Sequence, residues 1–98
     1  MRFIAYFAFV ATASAFTRIF PSTQPNCRPQ DIPTIDGCGD KILLDYDVRG
    51  ARIVYDGQTV IWYDSIDESG CSGRSVSVHT SIDCYTLPFS PGCVRIVC

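Results

Sequence analysis

Histidine, tryptophan and asparagine each occur once in the 98 residues, and no run of lysine or arginine is present. Chemistry that needs an imidazole as base or ligand would rest on His79 alone. His79 alternates with Val76 and Val78, which places it on the polar side of a strand. Ser77 shares its face and Ser75 and Ser81 lie near. No nucleophile-elbow motif flanks them, so a hydrolytic triad is not expected. Asn26 is followed by Cys27 and Arg28, so there is no N-glycosylation sequon. No Cys-x-x-Cys occurs, which removes the usual zinc and thioredoxin-type patterns. Eight basic against ten acidic residues leave a net charge of −2. That balance lacks the basic patch of a nucleic-acid or anionic-membrane binder. No window of about 11 residues carries a convincing 3.6 period, and no stretch reaches the ~20 apolar residues of a spanning helix.

Within those limits the chain is strongly patterned. Met1-Arg2, the apolar run Phe3 to Val10 and the small residues Ala13-Ser14-Ala15 have the form of a cleaved secretion signal. The expected organisation is a signal over residues 1–15, a proline-containing arm over 16–26 and a stapled domain over 27–98. Pro21, Pro25, Pro29 and Pro33 recur every four residues, which disfavours helix interiors and central strands. The segment Phe16 to Asp36 is therefore expected to be irregular and extended, ordered mainly where Cys27 pins it.

Cys27, Cys38, Cys71, Cys84, Cys93 and Cys98 are an even set in a short, exported chain, the setting of a disulfide framework. Cys93 and Cys98 flank Val94-Arg95-Ile96-Val97, which reads as a strand. Five extended residues hold the two ~16 Å apart, beyond disulfide reach. They must bond elsewhere, so the last strand is expected to be tied at both ends.

The rest of the pattern is β. Leu44, Tyr46 and Val48 alternate with Asp45 and Asp47, as in a half-buried strand. Ala51 to Tyr55 reads as a second strand, Asp56-Gly57 as a hairpin turn and Thr59 to Tyr63 as a third strand. Asp64 to Gly73 reads as a loop. Val76 and Val78 mark a fourth strand, Cys84 to Leu87 a short fifth and Val94 to Val97 the last. The fold class expected is all-β: a small disulfide-stapled Greek-key sandwich or barrel of about six short strands.

Candidate recognition residues gather late in the chain. Trp62 and Tyr63 point to opposite faces, one to the core and one outward. Tyr63, Asp64, Asp67, Glu68, Tyr85 and Phe89 are the candidate contact surface, because aromatic residues dominate interface hot spots. The carboxylates of Asp64, Asp67 and Glu68 carry no EF-hand spacing and no apolar pocket that would make a glycosidase pair of them. A stapled domain of this size is also expected to have little volume for a small-molecule pocket of ~300 Å³ or more. No catalytic residue, metal or cofactor is expected.

The stretches Val60-Ile61-Trp62-Tyr63, Cys71-Ser72-Gly73, Cys84-Tyr85-Thr86-Leu87 and Val94-Arg95-Ile96-Val97 together resemble a βγ-crystallin-type Greek-key motif. In that family an aromatic strand precedes a loop whose glycine folds over the hairpin, and a strand of the Ser-Val-Arg-Val kind closes the key. Small secreted killer-toxin-like proteins and fungal cysteine-rich effectors are similar, with cysteines added. The likeness covers roughly Ala51 to Cys98. Cys93 stands where the family often has Ser, and Cys27 to Tyr55 matches a first key poorly. The family's calcium motif is missing, since Val76 and Ser77 occupy the offsets where Thr80-Ser81 would need acids. The resemblance implies a secreted, non-enzymatic binding protein, effector-like or virulence-associated, acting outside the producing cell. Its partner would be a host or competitor protein or a cell-surface component, not nucleic acid. A killer-toxin-like antimicrobial protein and a small protease inhibitor are the alternatives.

Overall fold

The structure, a computed structural model, describes residues 16–98, so the signal assigned to residues 1–15 lies outside the described residues. Eight strands follow in order: β1 (Arg18–Ser22), β2 (Ile35–Asp36), β3 (Gly39–Ile42), β4 (Gly50–Val54), β5 (Thr59–Asp67), β6 (Gly70–Val78), β7 (Ile82–Thr86) and β8 (Cys93–Val97). They form two antiparallel four-stranded sheets, ordered β2-β1-β4-β7 and β3-β8-β5-β6. The all-β, disulfide-stapled class expected from the pattern is the class found, with eight strands where about six were counted. Among the described residues no helix is long and apolar enough to cross a membrane.

Period-two alternation sets the inner faces. Ile19 in β1, Ala51 and Ile53 in β4, Val60 and Trp62 in β5, and Val94 and Ile96 in β8 all turn into one core. Trp62 is its largest fully buried side chain, and Tyr63 beside it is only half-buried, as alternation requires.

Three bridges close the domain: Cys27–Cys84, Cys38–Cys98 and Cys71–Cys93, with no free cysteine. Strand β8 is tied at both ends to different partners, as its length demands. Such a framework fits an oxidising, extracellular setting.

Several expectations give way. The segment 16–36 is not simply an arm, because Arg18–Ser22 is a strand paired with both β2 and β4. β2 reaches only Arg18 and Ile19, so beside Pro21 one edge of β1 is open and a residue without an N–H is tolerated. Leu44 to Val48 is not a strand. Leu43 takes the buried place, the chain turns there through a bond from Tyr46 N to Leu43 O (3.0 Å), and Leu44 and Tyr46 are left exposed.

Asp56-Gly57 makes no hairpin either, because β4 and β5 lie in different sheets. The link is held instead by buried Thr17, whose Oγ1 accepts from Asp56 N (2.9 Å) and Gln58 N (3.2 Å). Nor is Asp64 to Gly73 an open loop. It is the outer half of a long β5–β6 hairpin, turning through Glu68 and Ser69.

Candidate interaction surface

The hairpin is bent by a bulge. Tyr63 pairs with Ser75 and Ser65 with Ser72, so Asp64 alone faces Gly73 and Arg74. The extra residue is accommodated by Gly73 at φ +86°, the left-handed conformation that such a bulge uses. A Cβ at this position would also overlap the Asp64 carboxylate. Asp64 is thereby held by both strands of the hairpin: from β6 Arg74 N donates to Oδ1 (2.9 Å) and Arg74 Nε to Oδ2 (2.7 Å), and from β5 Ser65 Oγ donates to Oδ1 (3.1 Å). The Arg74 hydrogen bond foremost holds the Asp64 carboxyl below its ordinary value. The other side of the Arg74 guanidinium lies 5.3 Å from the centroid of the Phe89 ring.

Beyond the bulge the hairpin arches over the outer face of its own sheet. In a flat sheet Cys71 of β6 and Cys93 of β8 would stand two strand spacings apart, ~9.6 Å. Their Cα atoms are 5.3 Å apart. Beneath the arch Arg95 forks onto Asp40, with Nε to Oδ1 at 2.6 Å and Nη2 to Oδ2 at 3.1 Å, and donates Nη1 to Tyr63 Oη at 3.2 Å. Cys71 N donates to Asp40 Oδ2 (3.2 Å), tying the arch to β3. These bonds, that from Arg95 most of all, depress the Asp40 carboxyl and raise the Arg95 guanidinium.

The six candidate contact residues are thus divided. Asp64 and Phe89 meet through Arg74. Tyr63 is half-buried and roofed by Arg95, 5.3 Å from its ring centroid. Asp67 sits at the hairpin tip, where its Oδ1 accepts from Ser69 N (2.8 Å) and Ser69 Oγ (2.6 Å), and the Ser69 hydroxyl lowers its pKa. Glu68 is exposed in the turn. Tyr85 lies on the other sheet, in β7, packed against the core, and burial pushes its phenol up. His79 is exposed just past the end of β6.

Leu44 joins this surface although its alternation pointed it inward. It is 65% exposed, and its Cδ2 would lie 3.4 Å from a Cβ on Gly92, where Asp64 O (3.2 Å) and Ser65 Cα (3.1 Å) also converge. Arg74 was missed too, and the acid–Gly–Arg combination at Asp64, Gly73 and Arg74 is the signal that could have revealed it. Asp40, Cys71 and Cys93 also cluster, but both sulfurs are consumed in one bridge and offer no thiolate to a metal.

No protein-family model, no curated protein and no solved structure matches the chain.

Proposed function

We propose that this chain is a secreted, non-enzymatic binding protein, effector-like or virulence-associated, that acts on a host target outside the cell producing it. The observation that carries the reading is the surface around the hairpin bulge. Leu44 stands exposed there beside Asp64, Arg74 and Phe89, on segments tied down by hydrogen bonds and by the Cys71–Cys93 bridge. Arginine is enriched at recognition hot spots and aromatic side chains at interfaces, and Arg74 and Phe89 supply both beside the exposed leucine. Its bridged support means that little side-chain and backbone freedom is lost when a partner docks.

The test is binding by the oxidised, purified protein. A single stoichiometric partner from host extracellular material, whose affinity falls tenfold or more in Leu44→Asp and Phe89→Ala, supports the reading. Growth inhibition of competing microbes without such a partner would replace it with the toxin reading. Stoichiometric inhibition of a protease, lost on Glu68→Ala at the hairpin turn, would replace it with the inhibitor reading.

A further inference from the structure

The arginines of the described residues fall into two groups. Arg49, Arg74 and Arg95 each pair with an aspartate. Arg18, Arg28 and Arg52 have no carboxylate within ion-pair distance, in a protein whose acids outnumber its bases. Arg18 and Arg52 lie on the sheet opposite the hairpin, and Arg28 on the segment that follows β1. Arg18 and Arg52 lie over the same Phe20 ring, 5.8 and 5.3 Å from its centroid. Arg52 and Arg28 line one cleft of about 550 Å³, together with Asn26, Gln30 and Asp83. The small volume expected from chain length is exceeded here, in a cleft between residues 26–30 and the edge formed by Arg52, Asp83 and Cys84, although the same segment is seated on β4 and β7 through Pro25 and Cys27.

That segment is built to hold its shape. Cys27 bridges to Cys84 and takes φ +64°, the one non-glycine residue of the described chain in the left-handed region. Cys27 N donates to Gln24 O (3.0 Å), Arg28 N to Asn26 Oδ1 (3.1 Å) and Thr23 N to Asp31 Oδ1 (3.0 Å). Ser22 Oγ donates to Pro29 O. On the opposite wall the β4–β7 register shifts between Ala51 and Ile53, so that Arg52 faces Asp83 and Cys84.

We propose that this cleft binds an acidic sugar. Two unpaired guanidiniums recognise a carboxylate. Asp83 accepts from hydroxyls, and the amides of Asn26 and Gln30 both donate and accept. The presence of Asp83 decides the class. Its charge opposes a dense polyanion such as phosphate but suits a ligand that carries one carboxylate among several hydroxyls. The volume lies within the roughly 300–1,000 Å³ of small-ligand sites. The inference stands apart from the hairpin surface and does not depend on it.

The experiment is an amide NMR titration of the full oxidised chain with galacturonate, short oligogalacturonates, galactose and inorganic phosphate. Galacturonate should give saturable shifts confined to residues 26–30, 52 and 83, and galactose, lacking the carboxylate, should bind at least tenfold more weakly. Arg28→Gln and Arg52→Gln should each weaken galacturonate tenfold, whereas Arg49→Gln, already paired with Asp47, should not. Asp83→Asn should weaken galacturonate yet strengthen phosphate. Oligomers binding at least tenfold tighter than the monomer support the site with a polymer as source, and equal binding supports it with a free sugar acid. Phosphate binding as well as galacturonate, equal binding of galactose, or no saturable shift would overturn the proposal. Each variant is checked by an unchanged spectrum away from the cleft, so that misfolding is told apart from lost binding.

Discussion

Trp62 is fully buried, yet its Nε1 has no hydrogen-bond partner among the described residues. A buried donor left unpaired costs about 1–3 kcal/mol. Trp62→Phe should therefore lose little, within about 1 kcal/mol, since the penalty removed offsets the lost volume. Trp62→Ala empties the centre of the core and should cost about 3–5 kcal/mol. Urea midpoints of the two variants check the contrast, and equal losses would mean that the indole N–H is satisfied. Gly73→Ala forces a side chain into a left-handed backbone and against the Asp64 carboxylate. It should destabilise by about 1–3 kcal/mol and release Arg74 from Phe89, visible as shifted Phe89 ring resonances. At this scale the sequence was readable where side chains alternate, as at Trp62 and Tyr63. It was misleading at Leu44, because nothing local says that the turn begins at Leu43 and swaps which leucine is buried.

Among elements, the β5–β6 hairpin is the one whose shape depends on distant residues. The Cys71–Cys93 ring is short, with a sequence separation of 22, and in the chain-entropy account it contributes about 3 kcal/mol. The double variant Cys71→Ala/Cys93→Ala should lose that much. Its largest gain in amide exchange should fall at Ser65 to Ser72 rather than across the core, and uniform acceleration would contradict the arch. The strands themselves were legible from branched and aromatic residues at period two. Their partners were not, because Asp56-Gly57 has the chemistry of a hairpin turn and is used to pass between sheets. The bulge escaped notice for a related reason, since two glycines, three acids and three serines between Asp64 and Gly73 are also the composition of a loop. The candidate residues Asp64 and Phe89 came together only through that bulge, while Tyr85 went to the other sheet.

For the molecule as a whole, two of the ion pairs bind carboxyls that are held below their ordinary value of 3.8, Asp40 by Arg95 and Asp64 by Arg74. A depressed carboxyl stabilises the fold fully above its unfolded value, and that contribution is lost as pH falls through the depressed one. The urea midpoint should hence be flat from pH 7 to 5 and decline below about 4. Asp40→Asn should shallow the decline. A fall already under way at pH 6 would point to a different group. The general architecture was open to sequence reasoning because cysteine parity, alternation and the length of the last strand each constrain it. The sheet order was not, because it follows from non-local pairing that no single segment encodes.

Two of the bridges join residues 57 and 60 positions apart, and their spans overlap: Cys27–Cys84 begins first and Cys38–Cys98 finishes last. Any single backbone cut after Cys27 therefore falls inside at least one ring, and no piece can leave. A chain nicked at the exposed Leu44–Tyr46 turn should keep its intact mass, gaining only one water, and separate into two fragments only after reduction. The exception is a cut between Ser22 and Cys27, outside every ring, which would free the first strand from its sheet. In surroundings rich in peptidases, persistence would then depend less on resisting the first cut than on where it falls.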